Sequence, residues 1–360
     1  MARKSVAIIG GGYVGSELAK ALEAHLDVTL IEPREAFVHA PAMIRAVVAP
    51  DLLETALIPY DGLLSSGRII ADRAVAIDDK GVTLKSGERV ETDFVIVATG
   101  STNGVAFKPE GDTLETFRAA QGDLNARLKD AKSIIIVGAG AVGTELAGEI
   151  AHAMPEKEVT LVSSDATLFP TMPKKLGASL LAKLRVLGVD VVLGARATDL
   201  KDIRGPSAGP LTLSNGDVLN ADLIVPAIGA RPNTELLVAL PGTQLAADGR
   251  IKVDTYLRPS SLGHVFAAGD VVDAGDAATI VAISRQAPWL AKTLKGLAQG
   301  ADLSSLKAYS PWGSAPILVP LGPQRGASFL VIATMGDWIT RIMKGRDLFI
   351  PKYRKLFGLR

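Results

Sequence analysis

The chain of 360 residues contains no cysteine and only four histidines. The absence of cysteine excludes disulfides, thiolate metal ligands, cysteine-bound iron–sulfur clusters and a dithiol redox relay within this chain. The histidines, His25, His39, His152 and His264, show neither metal-ligand spacing nor a serine or cysteine partner, so hydrolytic and metal chemistry lack support. Any redox chemistry must therefore depend on a bound cofactor.

Net charge and long apolar runs are also lacking. The 39 Lys and Arg residues nearly balance the 38 Asp and Glu residues, which gives a formal net charge of +1 and no electrostatic signature of nucleic-acid binding. Apolar stretches such as residues 134–142 are short and broken by glycine, so no membrane-spanning helix is expected. The first apolar strand starts at Val6 and Ala2 cannot be myristoylated, so we expect a cytoplasmic protein without a signal peptide.

Two segments of the chain repeat one pattern: an apolar run, a glycine-rich turn, a helical spacing and a second apolar run. The first segment covers residues 5–32 and the second covers residues 134–163. The similarity extends to the start of each helix, where VGSELA in the first segment corresponds to VGTELA in the second. The chain therefore carries the same βαβ module twice, as expected for duplicated domains.

The glycine turns of the two modules predict dinucleotide binding. A glycine turn at a helix start presents backbone N–H groups and the positive helix end to a pyrophosphate. The glycines predicted to bind cofactor in this way are Gly10, Gly12, Gly15, Gly138, Gly140 and Gly143. A chance glycine turn is the structural alternative, but two matches in the same context make it improbable.

The residue after the second strand of each module predicts which nucleotide binds there. Glu32 is expected to accept hydrogen bonds from a ribose diol and to repel a 2′-phosphate, which suits FAD; a solvated acid at a strand end is the alternative. Ser163 and Ser164 occupy the corresponding place in the second module and neither repel nor clamp a phosphate. The sequence therefore leaves NADH and NADPH open.

Each module is followed by a further strand that ends in a small-residue turn, at Thr99 and Gly100 in the first and at Gly229 in the second. Asp270 follows a similar turn and can accept a hydrogen bond from a ribityl hydroxyl. We predict an α/β fold with two Rossmann-like dinucleotide-binding domains, the second inserted in the first, plus a small C-terminal domain. The predicted boundaries are 1–118 and 251–305 for the FAD-binding domain, 119–250 for the NAD(P)H-binding domain, and 306–360 for the C-terminal domain.

The end of the chain, residues 338–360, interleaves basic residues with aromatic and aliphatic ones. Its basic residues are Arg341, Lys344, Arg346, Lys352, Arg354, Lys355 and Arg360. This composition favours peripheral contact with an anionic membrane face, and a charged helix end or a solvated tail is the alternative.

The two glycine motifs and the turns at Thr99 and Asp270, taken in order, give the chain a resemblance that spans nearly its whole length. It resembles the two-dinucleotide-binding-domain flavoprotein superfamily of disulfide reductases and type II NADH dehydrogenases. Within it, the chain is most similar to the ferroptosis suppressor protein and AMID-like group. The strings that carry this likeness are Phe37-Val38-His39 with Arg45-Ala46, ATGST at 98–102, PEKEVTL at 155–161, and KGRDLF at 344–349.

The resemblance implies an FAD enzyme that takes hydride from NAD(P)H and passes electrons to a quinone without redox cysteines. By position it places Glu145 near the nicotinamide, and Lys344 and Phe349 beside the flavin and quinone pocket. It also makes Arg45 a candidate for cofactor binding. His39 is a further candidate, because residues 37–41 follow the second strand on the side where the flavin ring could lie. Glu145 lies in the first turn of a helix, where the helix dipole alone could explain a carboxylate.

The sequence departs from this group at two points and leaves two other functions open. The vertebrate members' myristoylation glycine is absent, and Ser163 stands where a different polar residue is usual. One alternative is an NAD(P)H-dependent reductase of a ferredoxin-like protein. The other is a redox-sensing binding protein similar to the apoptosis-inducing-factor relatives.

Overall fold

The structure is a computed structural model that describes residues 3–103, 106–276 and 279–359. Ala2 and Arg360, which entered the sequence predictions, lie outside the described residues. Among the described residues, no helix has both the length and the apolar character that crossing a bilayer requires.

The structure follows the chain in three parts. The first part contains β1 (Ser5–Ile9), α1 (Tyr13–Leu22), β2 (Asp27–Ile31), β3 (Ala36–Val38), α2 (Ala40–Ala46), α3 (Leu52–Ala56), β4 (Leu57–Pro59), a 3-10 turn (Tyr60–Gly62), β5 (Arg68–Ile70), β6 (Ala74–Asp78), β7 (Gly81–Leu84), β8 (Arg89–Glu91), β9 (Phe94–Val97) and β10 (Ser101–Thr102). The second part contains α4 (Glu115–Asp130), β11 (Ser133–Val137), α5 (Ala141–Ala153), β12 (Glu158–Val162), α6 (Lys174–Val186), β13 (Asp190–Val192), β14 (Ser207–Thr212), β15 (Val218–Pro226), β16 (Arg231–Pro232) and α7 (Glu235–Val238). The third part contains β17 (Ile251–Lys252), β18 (Val265–Ala267), β19 (Val272–Asp273), α8 (Ile280–Ile283), α9 (Gln286–Ala298), a 3-10 turn (Leu303–Ser305), β20 (Ile317–Leu321), β21 (Arg325–Phe329), β22 (Thr334–Met335), α10 (Asp337–Thr340), a π-helical turn (Arg341–Gly345) and α11 (Ile350–Leu356).

Five parallel strands form the central sheet of the first domain, in the order β18-β9-β1-β2-β5. Ile9 at the end of β1 pairs with Ile31 of β2 and with Val97 of β9, so these three strands end at the same level. The turns that follow them meet at one edge of the sheet. In doubly wound folds this carboxyl edge is where ligands bind.

The second sheet has the order β13-β12-β11-β15-β14, with β14 antiparallel to β15 and the other strands parallel. Val137 at the end of β11 pairs with Val162 of β12 and with Pro226 of β15. This sheet lies in the sequence between β10 and β18 of the first domain. The predicted fold class, with one Rossmann-like domain inserted in another, is therefore confirmed, while the numerical boundaries stay a prediction.

The C-terminal part contacts both domains. The antiparallel strands β20, β21 and β22 form a small sheet, with β20 packed against α5 and β21 against α6 of the second domain. Helix α11 packs instead on the first domain, where the Tyr353 ring lies 5.5 Å and the Phe357 ring 5.0 Å from the Phe37 ring. Burial of these large aromatic side chains stabilises the return of the chain to its first domain.

Candidate functional site

A cleft of about 660 Å³ lies at the carboxyl edge of the first sheet. Six of the predicted cofactor-binding residues line it: Gly10, Gly12, Glu32, Thr99, Gly100 and Asp270. They come from the turns after β1, β2, β9 and β18, which the parallel register brings together. The cleft therefore lies where the sequence predicts the FAD site.

Glycine is required at the three positions of the first glycine motif for different physical reasons. Gly10 has φ +101°, and a Cβ there would lie 2.5 Å from the Ala98 carbonyl oxygen, while a Cβ at Gly15 would lie 1.8 Å from the Gly10 carbonyl oxygen. Gly12 differs, because a Cβ there would meet no protein atom within 4 Å. It is the N-cap of α1, and no side chain caps that helix start. Open space beside free helix N–H groups fits a pyrophosphate.

Glu32 connects the glycine turn to the rim of the cleft. Its Oε2 accepts a hydrogen bond from the backbone N–H of Gly11 at 2.8 Å, and its Oε1 accepts one from Arg34 Nε at 2.7 Å. Oε1 also accepts the Arg34 backbone N–H at 3.2 Å. A carboxylate has about four lone-pair positions, so these three bonds leave capacity for about one further hydrogen bond, from one hydroxyl of a ribose diol. The buried position of Glu32 therefore fits its predicted role.

Asp270 is held as an anion inside the cleft. Its Oδ2 accepts from Lys108 Nζ at 2.8 Å and from Ser101 Oγ at 2.7 Å. Burial alone would raise the pKa of Asp270, but Lys108 and the Ser101 hydroxyl hold that pKa below its usual value. The carboxylate is thus an ionised acceptor at neutral pH.

Sequence reasoning missed the residues that position Asp270. Lys108 belongs to no motif, and Ser101 lies in the ATGST string at 98–102 without having been predicted as a partner of Asp270; both reach Asp270 across more than 160 positions of the chain. Gln286, at the start of α9, accepts the Gly269 N–H on its Oε1 at 2.7 Å and so fixes the turn before Asp270. No local sequence signal marks Lys108 or Gln286.

The second glycine turn repeats the geometry of the first. Gly138 has φ +110°, and a Cβ at Gly143 would lie 1.9 Å from the Gly138 carbonyl oxygen. A Cβ at Gly140, the N-cap of α5, would meet nothing within 4 Å. Ser163, directly after β12, is buried and its Oγ accepts the Asp165 N–H at 3.2 Å. Gly229 follows β15 with φ +77°. Gly138, Gly140, Ser163 and Gly229 therefore lie in the segments that follow the strands at the carboxyl edge of the second sheet, and Gly143 lies in the first turn of α5.

Glu145 and Lys344, which are 199 positions apart, form a buried ion pair. Lys344 Nζ lies 2.6 Å from Glu145 Oε1 and also donates to the Leu318 carbonyl oxygen at 3.2 Å. Burial raises the pKa of Glu145 above its ordinary value, although Lys344 opposes that rise. The pair joins α5 to the π-helical turn of the C-terminal part and lies outside the residues that line the cleft. The structure brings the two predicted residues together, and their catalytic roles stay a prediction.

His39 and Phe349 lie behind the cleft rather than in its lining. The His39 Nδ1 accepts from the Tyr13 hydroxyl at 3.1 Å, and its Nε2 donates to the Leu348 carbonyl oxygen. Burial lowers the pKa of His39 to about 4, so the ring is neutral at pH 7. Leu348 and Phe349 have φ values of 54° and 65°, a left-handed conformation that costs about 1–2 kcal/mol per non-glycine residue. The hydrogen bond from His39 helps to hold this strained turn.

Arg45, also predicted to bind cofactor, does not line the cleft either. Its guanidinium forms an ion pair with Glu149 of α5, with Nη2 2.8 Å from Oε1. The side chain is therefore directed at the second domain. Thr99 and Gly100 also connect the first domain to the second, since Thr99 Oγ1 donates to the Asn233 carbonyl oxygen at 2.7 Å and the Asn233 N–H donates to the Gly100 carbonyl oxygen at 2.9 Å.

Two family models described as pyridine nucleotide-disulphide oxidoreductase match residues 5–55 and 63–293. The chain belongs to this family. As a member of the pyridine nucleotide-disulphide oxidoreductases it is an FAD-dependent NAD(P)H oxidoreductase, with FAD and NAD(P)H as its cofactors. Since the chain has no cysteine, it cannot pass electrons through a disulfide of its own.

Individual relatives in the family align with the chain over most of its length. Apoptosis-inducing factor homolog B from Dictyostelium discoideum is 31% identical, covering 98% of this chain and 96% of its own length. Ferroptosis suppressor protein 1 from Xenopus tropicalis is 28% identical, with the same two coverages. The sulfide:quinone oxidoreductase structure from Aquifex aeolicus has a TM-score of 0.80 at 20% identity, covering 99% of this chain and 92% of that one. This structural likeness establishes the shared fold.

The two open N-cap glycines predict a matched pair of variants. Gly12→Ala should weaken FAD binding by on the order of tenfold, equivalent to ~1.4 kcal/mol, because the added methyl occupies space that the protein leaves empty. Gly140→Ala should retain FAD and weaken NAD(P)H binding instead. Fluorescence quenching titrations of apoprotein with FAD, and of the FAD-loaded protein with NAD⁺, which has the pyrophosphate of NADH but donates no hydride, measure both affinities. Equal FAD affinity in the two variants would contradict the assignment of Gly12.

Proposed function

We propose that the protein is an NAD(P)H:quinone oxidoreductase that catalyses NAD(P)H + H⁺ + quinone → NAD(P)⁺ + quinol. When bound, FAD would accept the hydride and pass two electrons on to the acceptor. Gly12, Glu32 and Asp270 would hold its pyrophosphate, ribose and ribityl chain, and Gly140 would face the pyrophosphate of NAD(P)H. The protein's own contribution is orientation and electrostatics.

The buried pair of Glu145 and Lys344 is the observation that carries the quinone assignment. Reduction of a quinone to a quinol needs two protons as well as two electrons. An ammonium group has three N–H donors, and among the described residues Lys344 uses two of them, on Glu145 and on the Leu318 carbonyl oxygen. A third donor remains for a quinone oxygen, and Glu145 can hold a proton next to it.

A surface groove beside this region supports an acceptor with an apolar tail. It has a volume of about 690 Å³ and lies between α3 and the end of the chain. Leu52, Ile350, Pro351 and Leu359 line its walls, and Ile350 directly follows Phe349. The Aquifex aeolicus enzyme, which shares this fold, is an oxidoreductase of sulfide and quinone, and this supports the choice of a quinone acceptor.

Anaerobic stopped-flow tests the proposed reaction. The purified FAD-loaded protein is mixed with NADH or NADPH. It is then mixed with one of three oxidised acceptors: a benzoquinone without a tail, an alkylated ubiquinone analogue or an oxidised ferredoxin. We expect loss of the oxidised flavin absorbance with one nicotinamide and rapid recovery with the alkylated quinone. Recovery only with ferredoxin would replace quinone by a protein acceptor, and slow recovery with every acceptor would favour a redox-sensing protein.

The ion pair itself predicts a rate effect that can be separated from stability. Lys344→Met leaves the Glu145 carboxylate buried without a partner, which costs about 3–5 kcal/mol of stability. It should also slow quinone reduction about 100-fold, because a proton and hydrogen-bond donor is lost. The double variant Lys344→Met/Glu145→Gln should regain most of the melting temperature but not the rate. Recovery of the rate in the double variant would make the pair purely structural.

We further propose that the acceptor is reached at an anionic membrane surface. Five large apolar side chains are exposed within residues 331–343, and Ile332 and Trp338 are 90% and 70% exposed. The others are Val331, Ile342 and Met343. Arg341, within this segment, and Arg346, three residues after it, are both exposed. Apolar side chains with basic neighbours match the boundary between acyl chains and anionic headgroups.

Vesicle sedimentation tests this surface. The protein should sediment with vesicles of phosphatidylcholine and phosphatidylglycerol more than with phosphatidylcholine alone, and Ile332→Glu should reduce that binding at least several-fold. Val218→Glu is the matched control, because Val218 is an exposed apolar residue of the second domain, far from the C-terminal part in sequence. Equal loss of binding in the two variants would argue against a specific docking surface.

A further inference from the structure

Helix α5 carries two buried carboxylates one turn apart. Glu145 and Glu149 are each 3% exposed, and a separation of four residues places them on the same helix face. Two like charges buried side by side are unfavourable unless each is paired with a cation. The structure provides two cations, each from a different part of the chain: Lys344 from the C-terminal part and Arg45 from α2 of the first domain.

The pair between Arg45 and Glu149 has the geometry of a rigid clamp. Arg45 Nε lies 3.0 Å from Oε1 and 2.9 Å from Oε2 of Glu149, and Nη2 lies 2.8 Å from Oε1. The planar guanidinium fixes both position and orientation of the carboxylate, which a lysine ammonium group cannot do. Because α2 and α5 pack against each other, the pair joins the first domain to the second.

We propose that Arg45 and Glu149 form a positioning pair, which holds α5 against the first dinucleotide-binding domain and balances the charge beside Glu145. Arg45 thus acts through Glu149 and α5 rather than by binding FAD. This inference rests on the proposed function, because the pair balances the charge beside Glu145 and the proposed function gives Glu145 a role in the reaction.

The charge balance at Glu145 can be described group by group. Lys344 faces Glu145 from the π-helical turn, Glu149 from its own helix and Arg45 from α2. Strand β11 has no charged residue, and the charged residue of β12, Glu158, is exposed at the first position of that strand. Burial is the main cause that raises the pKa of Glu145; Glu149 adds to that rise, whereas Lys344 and Arg45 oppose it.

This balance predicts shifts of opposite sign. Glu149→Gln leaves the Arg45 cation uncompensated, which stabilises ionised Glu145 and lowers its pKa. Arg45→Met leaves the Glu149 carboxylate uncompensated and raises the pKa of Glu145. The double variant Arg45→Met/Glu149→Gln removes both charges and should return the pKa close to that of the unmodified protein. A role limited to packing would give no shifts of opposite sign.

The experiment measures Glu145 directly and the reaction separately. Infrared spectra of the FAD-loaded protein across a pH series identify the Glu145 carboxyl band as the one that is lost in Glu145→Gln. We expect the midpoint of that band to move by about one pH unit down in Glu149→Gln and up in Arg45→Met. The same proteins give the pH profile of kcat/KM for the quinone at saturating NADH, in which the limb assigned to Glu145 should follow the band.

The outcomes separate the two proposals. Shifts of the band in the same direction, or no shift in either variant, would overturn the positioning pair. Opposite shifts of the band without any change in the kinetic profile would support the pair and overturn the role of Glu145 in the reaction. If Arg45→Met does not fold, the midpoint of the Glu145 band can still be compared in Glu149→Gln, in Arg45→Met/Glu149→Gln and in Arg45→Lys. In Arg45→Lys the charge is retained, so the band should stay close to its original midpoint while α5 loses its bidentate contact.

Discussion

Charge neutralisation on one face of α5 is the constraint that connects the three parts of this protein. The helix begins at the second glycine turn, and its two buried carboxylates can stay ionised only where cations reach them. Lys344 comes from the C-terminal part and Arg45 comes from the first domain. The position of α5 is thereby fixed from both sides, and the Glu145 carboxylate lies where the three parts meet.

The two sheets determine where the predicted nucleotide-binding turns lie. In each sheet the strand before the glycine turn has parallel neighbours on both sides, and the turns after all three strands meet at one edge. In each turn two glycines are needed for the protein's own geometry, and a third leaves space open at a helix start. The duplication therefore supplies two turns of the same geometry, each predicted to bind a nucleotide, and the inserted connectivity places both in one chain.

The parts of the site that were predictable depend on local spacing. Glycines at fixed intervals and an acid about twenty residues later have the same consequence in any βαβ unit, so the turns and Glu32 could be assigned from the sequence. The partners of Asp270 and the clamp on Glu149 could not, because they depend on side chains that meet only after the domains pack. Arg45 shows the difference well. Similarity to a family singled out the residue, but only the fold shows which carboxylate it contacts.

Helix α11 has a consequence for how the protein is made. Tyr353 of this helix and Phe357, directly after it, complete a core whose other members, such as Phe37, belong to the first strands synthesised. The inserted domain has all of its own strands long before that point of synthesis. During translation, the inserted second domain can therefore fold before α11 is available to the first domain. A ribosome that stalls at that point would leave the aromatic core of the first domain exposed to chaperones.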